Sequence, residues 1–488
     1  MCRKFGWRTG CFVGRSAAGK PAGARGLGPG VAGDVLLVAE GVLLMDDVPD
    51  ASVRVLGPCR IASPLAPLID DKRTTQHYVD EDDRVLLDDT LSMVTQRDVS
   101  LDSLPGFEPA GPRRKIFFDP SKTRVGIVTC GGLCPGLNDV IRGLVLELTS
   151  HYGVTRIFGF RNGYQGFIAR YAHSVLDLTP DLVSTINENG GTILGTSRGQ
   201  QDPEEIVDCL ERMSITILFV VGGDGSLRGA LEIGRVARER GDKIAVVGVP
   251  KTIDNDVPYI DQSFGFQTAF SKASESIRAA HVEAMSSPNG IGVVKLMGRH
   301  SGFLACYASL ANSDADVVLV PEVPFTFEGG GGLLRFLHRR VEERGHAVVV
   351  VAEGAGQDLL AREEAGTPQG SDASGNVKLR DVGKLLTRRI TDHFTAANME
   401  VNLKYIDPSY VIRSVPANPY DSVYCIRLSH AAVHAAMSGR TEVIVGRWRR
   451  RFVHVPITMA ISHRSQVDPA GDLWLSVLEA TGQPVQFR

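Results

Sequence analysis

From about Arg124 onward, short runs of aliphatic and β-branched residues recur along the chain: RVGIVT, TILFVV, IAVVGV, IGVVKL, VVLV and AVVVVA. Each is nearly continuous in apolar character rather than alternating. Such runs predict strands buried on both faces, as in parallel sheets covered by helices. Between them the apolar period lengthens. Leu137, Ile141, Leu144 and Leu148 fall on one helical face, as do Phe266, Phe270, Ala273, Ile277, Ala280 and Ala284. Strands alternating with helices predict an α/β fold, and the strand count is compatible with two similar halves. Ligands in that class sit at the carboxyl ends of strands. The Gly-rich polar segments of this chain follow its strand-like runs. Residues 361–376 and EGGGG at 328–332 read as exposed loops.

Composition narrows the partners. A hydrophobic content of 43% with 22% charged residues is that of an ordinary globular chain. The net charge of -3 comes without the concentrated basic face of a nucleic-acid binder, so no nucleic acid is expected. The apolar stretch GDVLLVAEGVLLMDD is broken by Glu40, so no membrane-spanning helix is expected. Eight cysteines (Cys2, Cys11, Cys59, Cys130, Cys134, Cys209, Cys306 and Cys425) form no CxxC pair and no Cys/His ligand spacing. They read as free thiols; Cys130 and Cys134 bracket a glycine turn, where oxidation sensitivity competes with simple packing. Residues 45–115 are acidic and Pro-containing and read as an extension wrapped on the core. The first 30 residues hold six Lys/Arg and no acid, as transit peptides do, although Ser is scarce. A cytoplasmic location is expected, with an organelle (plastid or mitochondrion) as the alternative that the basic start offers.

Three turns share one style. VTCGGLCPGLNDVIR runs from a strand through glycines into a helix, GGTILGTSRG ends on Arg198 and Gly199, and VVGGDGSLRG puts Asp224 directly after a strand. Glycines let backbone N–H groups approach phosphate oxygens, and a helix N-terminus adds partial positive charge. Asp224 supplies the hard oxygen that Mg²⁺ prefers. One GGDG is explained as well by a tight turn; three such turns in an ordered α/β context point to phosphate. Neither GxxxxGK[ST] nor HRD nor DFG occurs, which removes P-loop NTPases and protein kinases. In VPKTIDNDV, Asp254 and Asp256 stand two apart beside Lys251 and Thr252, on one side of an extended segment. One could act as a general base while the other holds metal or orients it, or both could be solvated turn residues. Arg299, Glu353, Lys404, Tyr410 and Arg413 supply groups able to grip phosphate and sugar hydroxyls. The run RWRRR at 447–451 suits either an effector phosphate or a solvated face.

In their order, GGLCPGLNDVIR, GYQGF, GTSRG, GGDGS, PKTIDND, FGFQTA, MGRHSGF and YVIR resemble the phosphofructokinase family, in wording close to its plant and trypanosomatid ATP-dependent branch. The likeness extends over roughly residues 120–460. It implies two Rossmann-like parallel-sheet domains behind an N-terminal extension. The divisions would be an extension over 1–115, an ATP-binding domain over 116–260, a fructose 6-phosphate-binding domain over 261–430, and a segment over 431–488 packing back on the core. By the same resemblance, Gly131, Arg198, Gly199, Gly223, Asp224, Gly225 and Ser226 would line the ATP phosphates, with Asp224 on Mg²⁺. Thr252, Ile253, Asp254, Met297, Gly298, Arg299 and Glu353 would meet the sugar, and Tyr410 and Arg413 its 6-phosphate. Asp254 would be the base and Arg198 would offset charge on the transferring group. Gly225 stands where ATP users have glycine and pyrophosphate users aspartate, whereas Lys251 resembles the pyrophosphate branch. The implied assembly is a homotetramer, and the implied reaction belongs to glycolysis. A NAD or lipid kinase shares the GGDG turn but lacks TIDND, MGR and YVIR. A binding-only subunit would not need Asp224, Asp254, Arg299 and Arg413 intact.

Overall fold

Each of the six apolar runs is a strand in the computed structural model, which describes residues 50–65, 78–90, 104–363, 370 and 377–488. Cys2, Cys11, the basic start and most of the loop at 361–376 lie outside the described residues.

In chain order the principal strands are β1 (Val85–Leu86), β2 (Gly106–Pro109), β3 (Arg124–Thr129), β4 (Arg156–Phe160), β5 (Val175–Asp177), β6 (Ile217–Gly222) and β7 (Ala245–Pro250). Then come β8 (Gly290–Leu296), β9 (Val317–Leu319), β10 (His346–Ala352), β11 (Asn402–Ile406), β12 (Val443–Trp448) and β13 (Arg451–Pro456). They make a nine-stranded sheet of order β1-β2-β13-β12-β7-β6-β3-β4-β5 and a four-stranded sheet of order β9-β10-β8-β11. The smaller sheet is wholly parallel.

Helix α1 (Leu137–Ser150) buries Leu137, Ile141, Leu144 and Leu148 against the larger sheet. Helix α2 (Asp224–Arg240) covers the opposite face with Leu227, Ala230, Ile233 and Val236. On the smaller sheet, α3 (Phe266–Met285) buries Phe266, Ala273, Ile277, Ala280 and Ala284, while Phe270 is only partly covered. Helix α4 (Pro419–Met437) lies on α1. The approach is tight because Gly143 faces Ser429; a Cβ at 143 would stand 2.8 Å from the serine Cβ. Ser429 Oγ also donates to the carbonyl of Val140 at 3.1 Å, tying the two helices together.

The α/β class and the two sheets are as the pattern predicts, but the larger sheet is mixed. Strands β12, β7, β6, β3 and β4 are parallel, and antiparallel strands extend both edges. Local geometry explains one extension. Strands β12 and β13 are joined by only Arg449 and Arg450, with φ of 47° and 67°. Positive φ at both central residues gives the turn whose twist matches that of the strands it connects. Asp261 steadies it by accepting the N–H groups of Arg449 and Arg450, each at 3.1 Å. The RWRRR run is therefore a hairpin tip. Arg447 donates to Gln262 at 3.1 Å and Arg449 to the carbonyl of Leu87 at 3.0 Å. Positive φ strains a residue bearing a Cβ, and glycine relieves that at some cost in unfolded-state entropy. Arg450→Gly is thus expected to raise stability by about 0.5–1 kcal/mol in denaturant unfolding. A lower midpoint would show that the arginine side chain contributes more than its backbone costs.

Candidate active site

Strands β3, β6 and β7 are neighbours in the larger sheet, so the turns at their carboxyl ends lie side by side. The end of β3 leads into Cys130 and Gly131, that of β6 into Gly223 and α2, and that of β7 into Lys251–Asp254. Thr196 Oγ1 donates to the carbonyl of Gly131 at 2.6 Å, and Gly131 N–H to the carbonyl of Ser197 at 3.1 Å. These bonds fix the GTSRG loop to the first glycine turn. The smaller sheet presents the ends of β8 with Met297–Arg299, of β10 with Glu353, and of β11 with Asp407 and the short helix Ser409–Ser414.

The two sets of strand ends enclose two adjoining cavities. One, of about 490 Å³, is lined by Gly131, Arg198, Gly199, Asp224, Gly225 and Ser226. The other, of about 440 Å³, is lined by Lys251, Thr252, Ile253, Met297, Tyr410 and Arg413. Arg198, Asp254, Arg299 and Glu353 border both. Of the residues selected from sequence, Gly223, Gly298, Asp256 and Lys404 line neither cavity; the two glycines sit where a strand end bends into its turn. Lys404 lies exposed on the edge strand β11, away from both cavities.

The electrostatics concentrate on one carboxylate. Among the described residues Asp254 Oδ1 is buried with no hydrogen-bond partner, and Oδ2 accepts the Arg299 N–H at 3.4 Å. Burial, then the nearby charges of Asp256 and Glu353, push its pKa up to about 7. Burial likewise raises Glu353 and lowers the Lys251 ammonium. An unpaired buried carboxylate that titrates near neutrality is suited to take up a proton. The thiols of Cys130 and Cys134 are buried and pushed up to about 12, so they stay protonated and unreactive.

Several participants escape sequence reasoning. Tyr164, within the GYQGF motif, donates its hydroxyl to the carbonyl of Ser226 at 2.5 Å and braces the GGDGS turn. Lys295 pairs with Asp407 at 2.9 Å and with Asp381 at 3.4 Å, beneath the second cavity. A lysine inside the apolar run IGVVKL was a signal for it. Arg464 reaches the first cavity from far along the chain, and nothing in its surrounding sequence announces this.

Among the described residues no group of three or more His, Cys, Asp or Glu side chains is arranged to hold a metal ion. The cavity offers Asp224, half-exposed, facing Arg228 at 3.4 Å and Arg464 at 3.3 Å. Mg²⁺ characteristically binds through one or two carboxylates plus substrate phosphates rather than in an all-protein cage. This donor set fits an ion that arrives with phosphates.

Residues 124–436 match the family model described as Phosphofructokinase. A protein of Amycolatopsis methanolica named ATP-dependent 6-phosphofructokinase is 59% identical over 442 residues, covering 90% of this chain and 96% of the relative. The Arabidopsis thaliana protein named ATP-dependent 6-phosphofructokinase 7 is 50% identical, covering 78% and 77%. The Trypanosoma cruzi protein named ATP-dependent 6-phosphofructokinase is 48% identical, covering 77% and 76%. Among solved structures, the pyrophosphate-dependent phosphofructokinase of Nitrosospira multiformis superposes with a TM-score of 0.61 at 20% identity, over 74% of this chain and 92% of that one. That likeness concerns the fold alone. No helix among the described residues is long and apolar enough to cross a membrane.

Proposed function

The chain belongs to the phosphofructokinase family, and on that footing we propose that it is an ATP-dependent 6-phosphofructokinase of glycolysis. It transfers the γ-phosphoryl group of ATP to the 1-hydroxyl of fructose 6-phosphate, giving fructose 1,6-bisphosphate and ADP. The observation that carries the reading is the Asp254 carboxylate, one oxygen of which is buried and unpartnered among the described residues, at the border of a glycine-turn cavity and a cationic one.

In this reading Gly131, Arg198, Gly199 and the turn Gly223–Ser226 hold the phosphates of ATP. Thr252, Ile253, Met297, Gly298, Arg299 and Glu353 orient the sugar. Arg413 meets the 6-phosphate with a planar fork, and Tyr410, whose ring lies 4.7 Å from the Arg413 guanidinium, adds a hydroxyl. Asp254 accepts the proton of the 1-hydroxyl as its oxygen attacks, and Arg198 offsets charge between the two cavities. Bound with the nucleotide at Asp224, Mg²⁺ would supply further neutralisation of the transferring phosphoryl group. The division near residue 260 then separates a donor half from an acceptor half, and the acceptor half ends before α4, which packs on α1 of the donor half.

Gly225 supports ATP as the donor, since among the described residues nothing outside its own helix turn lies within 4 Å of where its Cβ would stand. Lys251, which lines the second cavity, is the feature that favours some use of pyrophosphate. A coupled assay with fructose 6-phosphate, first with ATP and then with pyrophosphate, tests both. Turnover with ATP at least tenfold above that with pyrophosphate is expected; no fructose 1,6-bisphosphate from either would sink the proposal, and phosphorylation of NAD would redirect it.

The rate should also depend on pH in a definite direction. Asp254 must be ionised to act, and its pKa stands at about 7. The value of kcat/KM for fructose 6-phosphate, which reports the free enzyme, is expected to fall as pH drops through about 7 and to reach a plateau above it. A profile flat between pH 5.5 and 8 would remove Asp254 as the base.

Exposed Tyr410 and Val411 beside the sugar cavity, 74% and 63% accessible, suit a homotetramer whose sites lie near subunit contacts. Light scattering of the purified protein tests that. The location we propose is cytoplasmic, and imaging a fusion of residues 1–45 distinguishes it from an organelle.

A further inference from the structure

Arg464 lies beyond residues 124–436, the span that matches the family model. It follows the β12–β13 hairpin and the short helix Ile457–Ala460. The segment is stitched to both halves of the site. Ser465 N–H donates to the carbonyl of Asp256 at 2.9 Å, Gln466 Nε2 to the carbonyl of His300 at 3.0 Å, and Val467 N–H to Glu322 at 2.8 Å. From that anchored backbone the side chain turns into the first cavity.

There one guanidinium spans two carboxylates. Nη1 stands 2.5 Å from Asp256 Oδ2, and Nη2 stands 3.3 Å from Asp224 Oδ2. Asp256 is only 4% exposed, and its other oxygen accepts the Thr252 hydroxyl at 2.7 Å. The Thr252 oxygen in turn accepts the N–H of Asp254 at 3.2 Å. Three successive contacts therefore lead from Arg464 to the backbone of Asp254, while a fourth leads to Asp224. A buried carboxylate stripped of its cation is left uncompensated and must move or take a proton. A lysine ammonium is a single point and cannot span both carboxylates as a planar fork does.

We propose that Arg464 is a positioning residue for phosphoryl transfer: it locks the donor carboxylate Asp224 and the turn that carries Asp254 into one unit, so that the two substrates meet at a fixed separation. The inference rests on the function proposed above. A residue that holds a metal-ligating carboxylate typically affects activity by about 10–100-fold, and Arg464 meets Asp224, the carboxylate proposed for Mg²⁺, directly. Arg464 lies outside the sugar-side cavity, so it should not govern sugar binding.

The experiment compares wild type, Arg464→Met, Arg464→Lys, Asp256→Asn and the double variant Asp256→Asn/Arg464→Met. Steady-state kinetics are measured across pH, and fructose 6-phosphate binding by calorimetry without nucleotide or metal. We expect kcat about 10–100-fold lower in Arg464→Met, little recovery in Arg464→Lys, and sugar affinity within twofold of wild type in both arginine variants. The double variant should be no worse than the poorer single one, and the acid limb of kcat/KM should move to higher pH once the cation is gone. The inference is overturned if Arg464→Met keeps kcat within twofold with an unmoved acid limb, or if sugar binding and melting temperature fall in step with kcat. A wild-type protein that makes no fructose 1,6-bisphosphate would instead overturn the proposed function, and the inference with it.

Discussion

Asp254→Asn is expected to lower kcat by about 10²–10⁴, the range a positioned general base supplies, while fructose 6-phosphate binds within a few-fold of wild type. The substitution keeps the shape of the side chain and removes its capacity to hold a proton. Sugar affinity should survive because Arg299, Glu353 and Arg413, proposed to grip the substrate, remain in the cavity, and the amide oxygen of the variant can still accept the Arg299 N–H. Stability supplies an internal control with the opposite sign. A carboxyl whose folded pKa stands at about 7, against an ordinary 3.8, ionises more readily in the unfolded chain. The folded protein thus loses stability as pH rises from about 4 to about 7, and the loss is constant beyond. Asn escapes it, so the variant should melt no lower than wild type at pH 8. An inactive variant that also melts well below wild type would mean that the substitution had damaged the fold; an active one would exclude the base.

Gly225→Asp should reverse the preference for the donor. The residue lies in the first turn of α2 with open space where its Cβ would be. An aspartate there meets no steric obstacle, and an acid near a helix N-terminus is favourable by about 0.3–1 kcal/mol. The fold should accept it. The ligand should not, because the new carboxylate would face the phosphate chain in the cavity that Asp224 and Ser226 already border. Like unit charges 4 Å apart repel by about 4 kcal/mol at an effective dielectric of 20. A fall in kcat/KM for ATP of about 10²–10³ is consistent with part of that repulsion being felt. Pyrophosphate, which has no α-phosphate or nucleoside to place, should lose much less. Parallel kcat/KM measurements with the two donors decide the matter: an ATP value within threefold of wild type would show that Gly225 does not select the donor.

Periodicity and motif order revealed much of this molecule, for physical reasons that can be traced. Strands buried on both faces leave continuous apolar runs, so β3, β6, β7, β8, β9 and β10 were all legible. Strand β11 was not, because as an edge strand it mixes exposed and covered positions. The β12–β13 hairpin was hidden by its Arg449–Arg450 tip, which lacks the Asn or Gly that usually marks such a turn. In the site, side chains attached to glycine turns could be found because backbone geometry dictates the sequence there. Lys295 and Arg464 are placed by contacts with residues far away in the chain, and no local pattern encodes those. The charge on Asp254 was likewise invisible: its burial and its unpartnered oxygen arise only when both sheets are in place.

The pairing of β7 with β12 matters also for how the polypeptide is made. Val247 on the edge of the partial sheet finds its partner in Val443, and β13 then recruits β2, from the opposite end of the described chain, through Val453 and Pro109. During synthesis the β7 edge must therefore wait, its hydrogen-bonding groups unpaired, while the whole smaller sheet emerges from the ribosome. The smaller sheet, drawn from the single interval between residues 290 and 406, can assemble during that delay. An apolar edge kept open is a template for pairing with other chains. Nascent chains stalled before residue 443 would carry the adhesive edge of the larger sheet beside a smaller sheet still lacking the cover of Trp474, Val477 and Phe487.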